Sequence, residues 1–237
     1  MRRSKQASIL ATMVVTGLLG IGVFGGGSAS ADVLCKTYTG WPYCSAEDKY
    51  GVGKEFAATQ EGYATMKLGL GTSIVMASCG TTGSNLNMTV TKAGGNGYLD
   101  IPEVDTTNLA FGSDCGNDSI SVVNDGTAAI QRWSESENTL QGSFIPTGLQ
   151  IKVRTNWVYE DLEYGANEFG ECTYEIKGAG KIAGPKTYGG YYTVLEFNEA
   201  VGDRVSGSGP GCGIANARLT AKFRFNPTSG HIYLMVK

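Results

Sequence analysis

A single histidine, His231, occurs in this chain, and that count restricts its chemistry at once. A Ser-His-Asp or Cys-His hydrolase would have to place its whole general-base role there. His231 lies in the turn-like stretch Thr228-Ser229-Gly230-His231, and no Gly-x-Ser-x-Gly elbow accompanies it. Catalysis by a metal held on several histidines is excluded. Carboxylates are the remaining route to acid–base work. Glu160, Asp161, Glu163, Glu168 and Glu171 crowd into one stretch, interleaved with Tyr159, Tyr164 and Phe169. A glycoside hydrolase needs two carboxylates ~5–10 Å apart across a sugar cleft, and aromatic neighbours suit sugar rings. A polar acidic run is more often a solvated loop, and that reading is the stronger one. Two oxygen-rich turns, Asp114-Cys115-Gly116-Asn117-Asp118 and Asp100 to Asp105, have ligand types that suit calcium. Neither has the spacing of an EF-hand loop, so no metal and no other cofactor is expected, and no catalytic residue is assigned.

Aromatic side chains are the better candidates for contact with a ligand. Trp41 and Tyr43 flank Pro42 in a short loop between Cys35 and Cys44, and Tyr188, Tyr191 and Tyr192 surround the pair Gly189-Gly190. Exposed Trp and Tyr give flat platforms with a polar edge, which suits sugars and protein partners. Trp133 and Trp157 fall in strand-like runs, where the ordinary role of tryptophan is in the core.

The six cysteines are Cys35, Cys44, Cys79, Cys115, Cys172 and Cys212. An even count in an exported chain reads as disulfides rather than thiols, and no CxxC or Cys-His pair points to zinc. Six cysteines allow fifteen pairings. Sequential pairing is the expectation, Cys35 with Cys44, Cys79 with Cys115 and Cys172 with Cys212, each adding roughly 2–4 kcal/mol.

Export itself is read from the first residues. Met1-Arg2-Arg3-Ser4-Lys5 is basic, Ile9 to Phe24 is apolar with interspersed glycines, and Ala29-Ser30-Ala31 is a small-x-small cleavage pattern. This describes a secretory signal peptide over residues 1–31. No later stretch approaches the ~20 apolar residues of a spanning helix, so no transmembrane segment is expected after cleavage. With Arg2, Arg3 and Lys5 removed, the 19 basic residues fall to 16 against 22 acidic ones. An acidic balance of that kind argues against nucleic acid as the partner.

What must position these residues is a set of strands. Met66, Leu68 and Leu70 alternate, Ser73 to Ala77 follows after the break at Gly71-Thr72, and Leu86, Met88 and Val90 alternate again. The longest clean alternation is Leu149, Ile151, Val153, Thr155 and Trp157, and Ala215 to Phe225 repeats the pattern. Glycine is abundant, 35 residues, and proline rare, 6 residues, which favours short strands joined by tight turns over long helices. The expected fold is all-β, an antiparallel sandwich or barrel-like assembly of about a dozen short strands, stabilised by disulfides. The expected organisation is the leader at 1–31, an irregular disulfide-tied segment at 32–53 and a β-rich domain at 54–237.

The layout Ser78-Cys79-Gly80-Thr81-Thr82-Gly83, Leu99-Asp100-Ile101-Pro102, Leu109 to Cys115, a strand with Trp133 and the late Gly211-Cys212-Gly213 resembles secreted β-rich proteins of actinobacteria. The resemblance spans residues 56–236 and implies fold and location but no mechanism. Taken together, these readings describe a secreted, non-enzymatic β-protein. It would work by binding or display at the cell surface or in the medium, with envelope polysaccharide or another extracellular protein as partner. Two other classes remain open at this stage. One is a secreted polysaccharide hydrolase using the carboxylates of 159–171. The other is a secreted inhibitor presenting the Cys35–Cys44 loop, whose rigidity would lower the ordering cost of binding.

Overall fold

Alternation decides the local structure. In Asn216–Phe225 every second side chain is buried, Ala217, Leu219, Ala221, Phe223 and Phe225, while the residues between face outward. The same rule runs through most of the chain in the computed structural model. It describes residues 32–35, 47, 49–68, 74–94, 101–135, 139–158, 167–185, 193–208, 212, 216–226 and 233–236. The strands begin with β1 (Asp32–Cys35), β2 (Glu55–Gln60), β3 (Ala64–Leu68), β4 (Ile74–Cys79) and β5 (Asn85–Lys92). Next come β6 (Glu103–Ala110), β7 (Ser119–Asn124), β8 (Thr127–Glu135), β9 (Thr139–Thr147) and β10 (Gln150–Val158). The last are β11 (Asn167–Ile176), β12 (Gly180–Pro185), β13 (Val194–Ser208), β14 (Asn216–Phe225) and β15 (Tyr233–Val236).

Eight of these strands close a barrel in the order β14-β2-β5-β6-β8-β9-β12-β13, with β13 returning to β14, and every pairing is antiparallel. The protein is therefore an all-β barrel with additional strands, as its alternation predicts. An eight-stranded barrel has an interior that side chains can just fill. Here Phe56, Met88, Val104, Ile130, Phe144, Leu195, Phe197 and Phe223 are all buried. Phe144 and Phe197 meet edge to face at 5.8 Å, and Phe56 and Phe225 at 6.4 Å. Aromatic and aliphatic side chains thus pack against one another inside the barrel.

β13 and β14 extend past the barrel into a second sheet, β4-β3-β14-β13-β11-β10-β7. The changeover is marked by a bulge between Phe197 and Ala200, where Glu199 has a φ of +52°. Its carboxylate meets Arg218 of the adjacent β14 at 2.9 Å and Lys67 of β3, one strand further, at 3.7 Å. The second sheet curls until β4 lies against β7 and β10. A disulfide between Cys79, at the end of β4, and Cys115, ahead of β7, joins its two outer strands, and a second, Cys172–Cys212, ties β11 to the β13–β14 connection. Both are the sequential pairs expected. Cys35 is also disulfide-bonded, while Cys44 lies outside the described residues.

The segment 32–53, expected to be irregular, contributes a strand: β1 pairs antiparallel with β15, Asp32 opposite Val236. Four residues are too few to display a period, and the partner lies at the far end of the chain. Tyr50 donates its backbone N–H to the Leu34 carbonyl at 2.9 Å and packs against Phe56 at 4.8 Å, joining this ribbon to the barrel.

Tyr174 of β11 is 0 % exposed, and its hydroxyl has no hydrogen-bond partner among the described residues. Burial raises its pKa above the ordinary tyrosine value, opposed by the charge of Arg204. A pKa raised in the folded state gives a stability contribution that is complete below about pH 10 and lost as the pH climbs through the folded value. Tyr174→Phe is therefore expected to match or exceed the parent by about 1 kcal/mol at pH 7, because it removes an unpaired buried hydroxyl. It should also lose part of the alkaline decline. Urea midpoints at pH 7 and pH 11 check both, and a loss of stability at pH 7 would show that the hydroxyl is satisfied.

Candidate functional site

The outer wall carries its most distinctive arrangement where five barrel strands run side by side. The register places Glu55 opposite Thr89, Thr89 opposite Asp105, Asp105 opposite Thr127 and Thr127 opposite Thr147. Each occupies an outward position, because its neighbours Phe56, Val90, Val104, Ala128 and Pro146 are buried. The result is one row of carboxylate and hydroxyl groups crossing β2, β5, β6, β8 and β9. None of these five side chains makes a hydrogen bond or ion pair with another described residue.

One part of the row opens into a cleft of about 530 Å³, lined by Asp105, Thr127 and Thr147 together with Thr106, Thr107 and Asn124 to Gly126, and by Val123. Local sequence explains its shape. Asn124-Asp125-Gly126 is a tight turn between β7 and β8, and Gly126 has a φ of +69°, which a glycine adopts without strain. A Cβ on Gly126 would fall 2.5 Å from the Thr147 carbonyl oxygen, so only glycine lets the turn settle against β9. The turn is clamped to β6 from below. Thr106, 4 % exposed, donates its hydroxyl to the carbonyls of Asp125 and, at 3.0 Å, of Gly126. Asp125 accepts the Leu109 backbone N–H at 2.8 Å through Oδ1. That bond reaches a stretch of β6 where Asn108 takes a φ of +51°. Asp125 is thus partly a structural residue, whereas Asp105 is unengaged.

Two apolar side chains lie close to these polar groups: Val123 in the cleft, 55 % exposed, and Ile145, two residues before Thr147 and 37 % exposed. Along β6 the next outward residue, Glu103, is held by Lys92 at 3.7 Å. Chemically the wall offers carboxylate and hydroxyl acceptors, hydroxyl and amide donors and small apolar contacts. That set suits a ligand rich in hydroxyl groups.

None of the residues favoured from sequence is among the described residues of this wall. Trp41, Tyr43, Tyr188, Tyr191 and Tyr192 lie outside the described residues, as do His231 and the acidic residues Glu160, Asp161 and Glu163. Glu171 stands on β11 and pairs with Lys152 at 3.3 Å. The oxygen-rich turn around residue 115 is spent on structure, Asp114 accepting the Thr82 backbone N–H and Asp118 that of Asn156. No group of three or more His, Cys, Asp or Glu side chains among the described residues could hold a metal ion. Asp105 is read from sequence as part of a turn, and β6 is missed as a strand. The signal for both was the alternation of Val104 and Thr106 against Asp105 and Thr107. Among the described residues no helix is long and apolar enough to cross a membrane. Comparison with known proteins finds no family model, no curated protein and no solved structure that matches this chain.

Proposed function

We propose that this is a secreted, non-enzymatic binding protein whose outer barrel wall holds a hydroxyl-rich ligand of the cell surface or medium. The observation that carries the reading is the registered row Glu55–Thr89–Asp105–Thr127–Thr147, unengaged by any other described residue and opening into a polar cleft. The basic, apolar and small-x-small pattern of residues 1–31 supports export, and two cross-linked cysteine pairs are compatible with an oxidising compartment. The aromatic and aliphatic side chains buried inside the barrel support an external site.

The test is co-sedimentation of the full chain, expressed with its leader and recovered from the medium, with isolated envelopes and insoluble polysaccharides. Soluble sugar release is followed in the same tubes. The expected result is specific pelleting without sugar release, reduced about tenfold by Asp105→Ala, the loss expected when a well-placed charged hydrogen bond is removed. Sugar release, or retention in the cell, overturns the reading. So does pelleting that Asp105→Ala leaves unchanged.

A further inference from the structure

We infer that the row takes a linear, non-anionic polysaccharide lying across the strands, with about one sugar over each strand. This inference rests on the binding role proposed above and specifies its ligand.

The argument begins with spacing. Neighbouring strands lie ~4.8 Å apart, so the five residues from Glu55 to Thr147 span about 19 Å. One strand spacing is close to the length of one sugar in an extended β-1,4-linked chain, so the row repeats at the pitch of such a polymer. Direction follows from what flanks the row. Along β6 the path is blocked on one side by the Lys92–Glu103 ion pair, whereas across the strands successive unengaged groups continue. The apolar side chains Ile145 and Val123 are exposed at the Thr147 end, where the face of a sugar ring can rest.

The ends of the row set the length of the ligand. Beyond Thr147 the wall stops, because β12 pairs with β9 only over residues 139–144. At the other end Glu55 opens β2, and β14 pairs with that strand only from Ala58 onward. Among the described residues nothing continues the row in either direction, so the row itself offers contacts for four or five sugars. Charge sets the ligand class. Glu55 and Asp105 lie in the row and Asp125 lines the cleft, with no lysine or arginine among the lining residues. A polyuronate or phosphate-linked chain would be repelled, whereas a neutral or amino-bearing chain would not.

The test is calorimetric titration of the full secreted chain with cello- and chito-oligosaccharides of one to six units, with oligogalacturonates as the anionic comparison. Affinity is expected to rise at least tenfold between the disaccharide and the pentasaccharide and then to level off. Thr89→Val and Thr147→Val, which keep shape and strand preference, should each weaken the pentasaccharide several-fold and leave the disaccharide unaffected. A disaccharide that binds as tightly as the pentasaccharide overturns the linear-chain inference, and so do end-row substitutions without effect. Either result leaves the binding role intact if Asp105→Ala still reduces pelleting about tenfold. Preferential binding of oligogalacturonate overturns the charge argument. Absence of binding to every oligosaccharide and every insoluble polysaccharide sinks the proposed function itself.

Discussion

Gly112→Ala is expected to destabilise the protein by about 4 kcal/mol or more, at the upper end of single-substitution effects. A Cβ at this position would lie 1.8 Å from the carbonyl oxygen of Gly80 and 2.5 Å from its carbonyl carbon. Both are backbone atoms, so no rotamer change can relieve the clash. Neither segment can step aside. Gly80 follows directly on Cys79, Gly112 lies three residues before Cys115, and the disulfide fixes those two positions to each other. The backbone bonds Gly80 N–H to Asp114 C=O at 3.2 Å and Ser113 N–H to Thr82 C=O at 2.8 Å fasten the same strands of chain. Guanidinium unfolding monitored by near-ultraviolet circular dichroism reads the effect. Gly51→Ala, where a Cβ meets nothing within 4 Å, provides the matched control and should change stability by less than about 0.5 kcal/mol. Equal midpoints for the two variants would mean that the 79–84 and 111–115 segments are not packed against each other as described.

Gln60→Met is expected to cost about 3–5 kcal/mol while nearly preserving side-chain volume. Gln60 ends β2 and is 5 % exposed. Its amide Nε2 donates toward the carbonyls of Gly80 at 2.7 Å, Gly62 at 2.8 Å and Cys79 at 3.0 Å, and its Oε1 accepts the Gly112 N–H at 3.1 Å. One side chain thereby joins three backbones at the place where the barrel meets the second sheet. Methionine supplies bulk but neither donor nor a good acceptor, leaving several buried backbone groups unpaired. The cost should appear as a lower denaturation midpoint at an unchanged m-value. Because the variant removes bonds to the same loops that Gly112 touches, Gln60→Met and Gly112→Ala should be strongly non-additive when combined. Full additivity would contradict the shared network.

How much of this was legible in the sequence depended on which force holds each element. β10 and β14 alternate strictly because one face of each is buried, so their residues carry the period. β6 was hidden because an inward position is filled by Thr106, and its phase is broken where Asn108 adopts positive φ. The far half of β13 was hidden for a different reason. Residues 203–208 are exposed and are held by pairing with β11 rather than by burial, so backbone bonds leave no mark in the side-chain pattern. Both described disulfides were readable because each pair brackets strands that end near each other. The row from Glu55 to Thr147 was not, since it is a property of register. Thr89, Asp105, Thr127 and Thr147 are unremarkable one at a time and meet only when four strands align. Gln60 did leave a trace, a polar residue in the inward phase of Phe56 and Ala58, which is where a buried hydrogen-bonding hub is expected.

The way β14 closes the barrel has a kinetic meaning. β2 and β3 each find one partner early, in β5 and β4, but their second edge waits for β14, which emerges last among the barrel strands. Until then the growing sheet carries open edges, and such long-range pairing is slow to form and exposed to aggregation. The wall bearing Glu55 to Thr147 belongs entirely to the early part of the chain, whereas its permanence depends on the late part. Cys79 and Cys115 also both precede β14, so their bridge can hold the loops together before the barrel shuts. The order of synthesis therefore sets a schedule: surface first, staple next, closure last. A chain released before β14 would present the outline of the site on a sheet that cannot keep its shape.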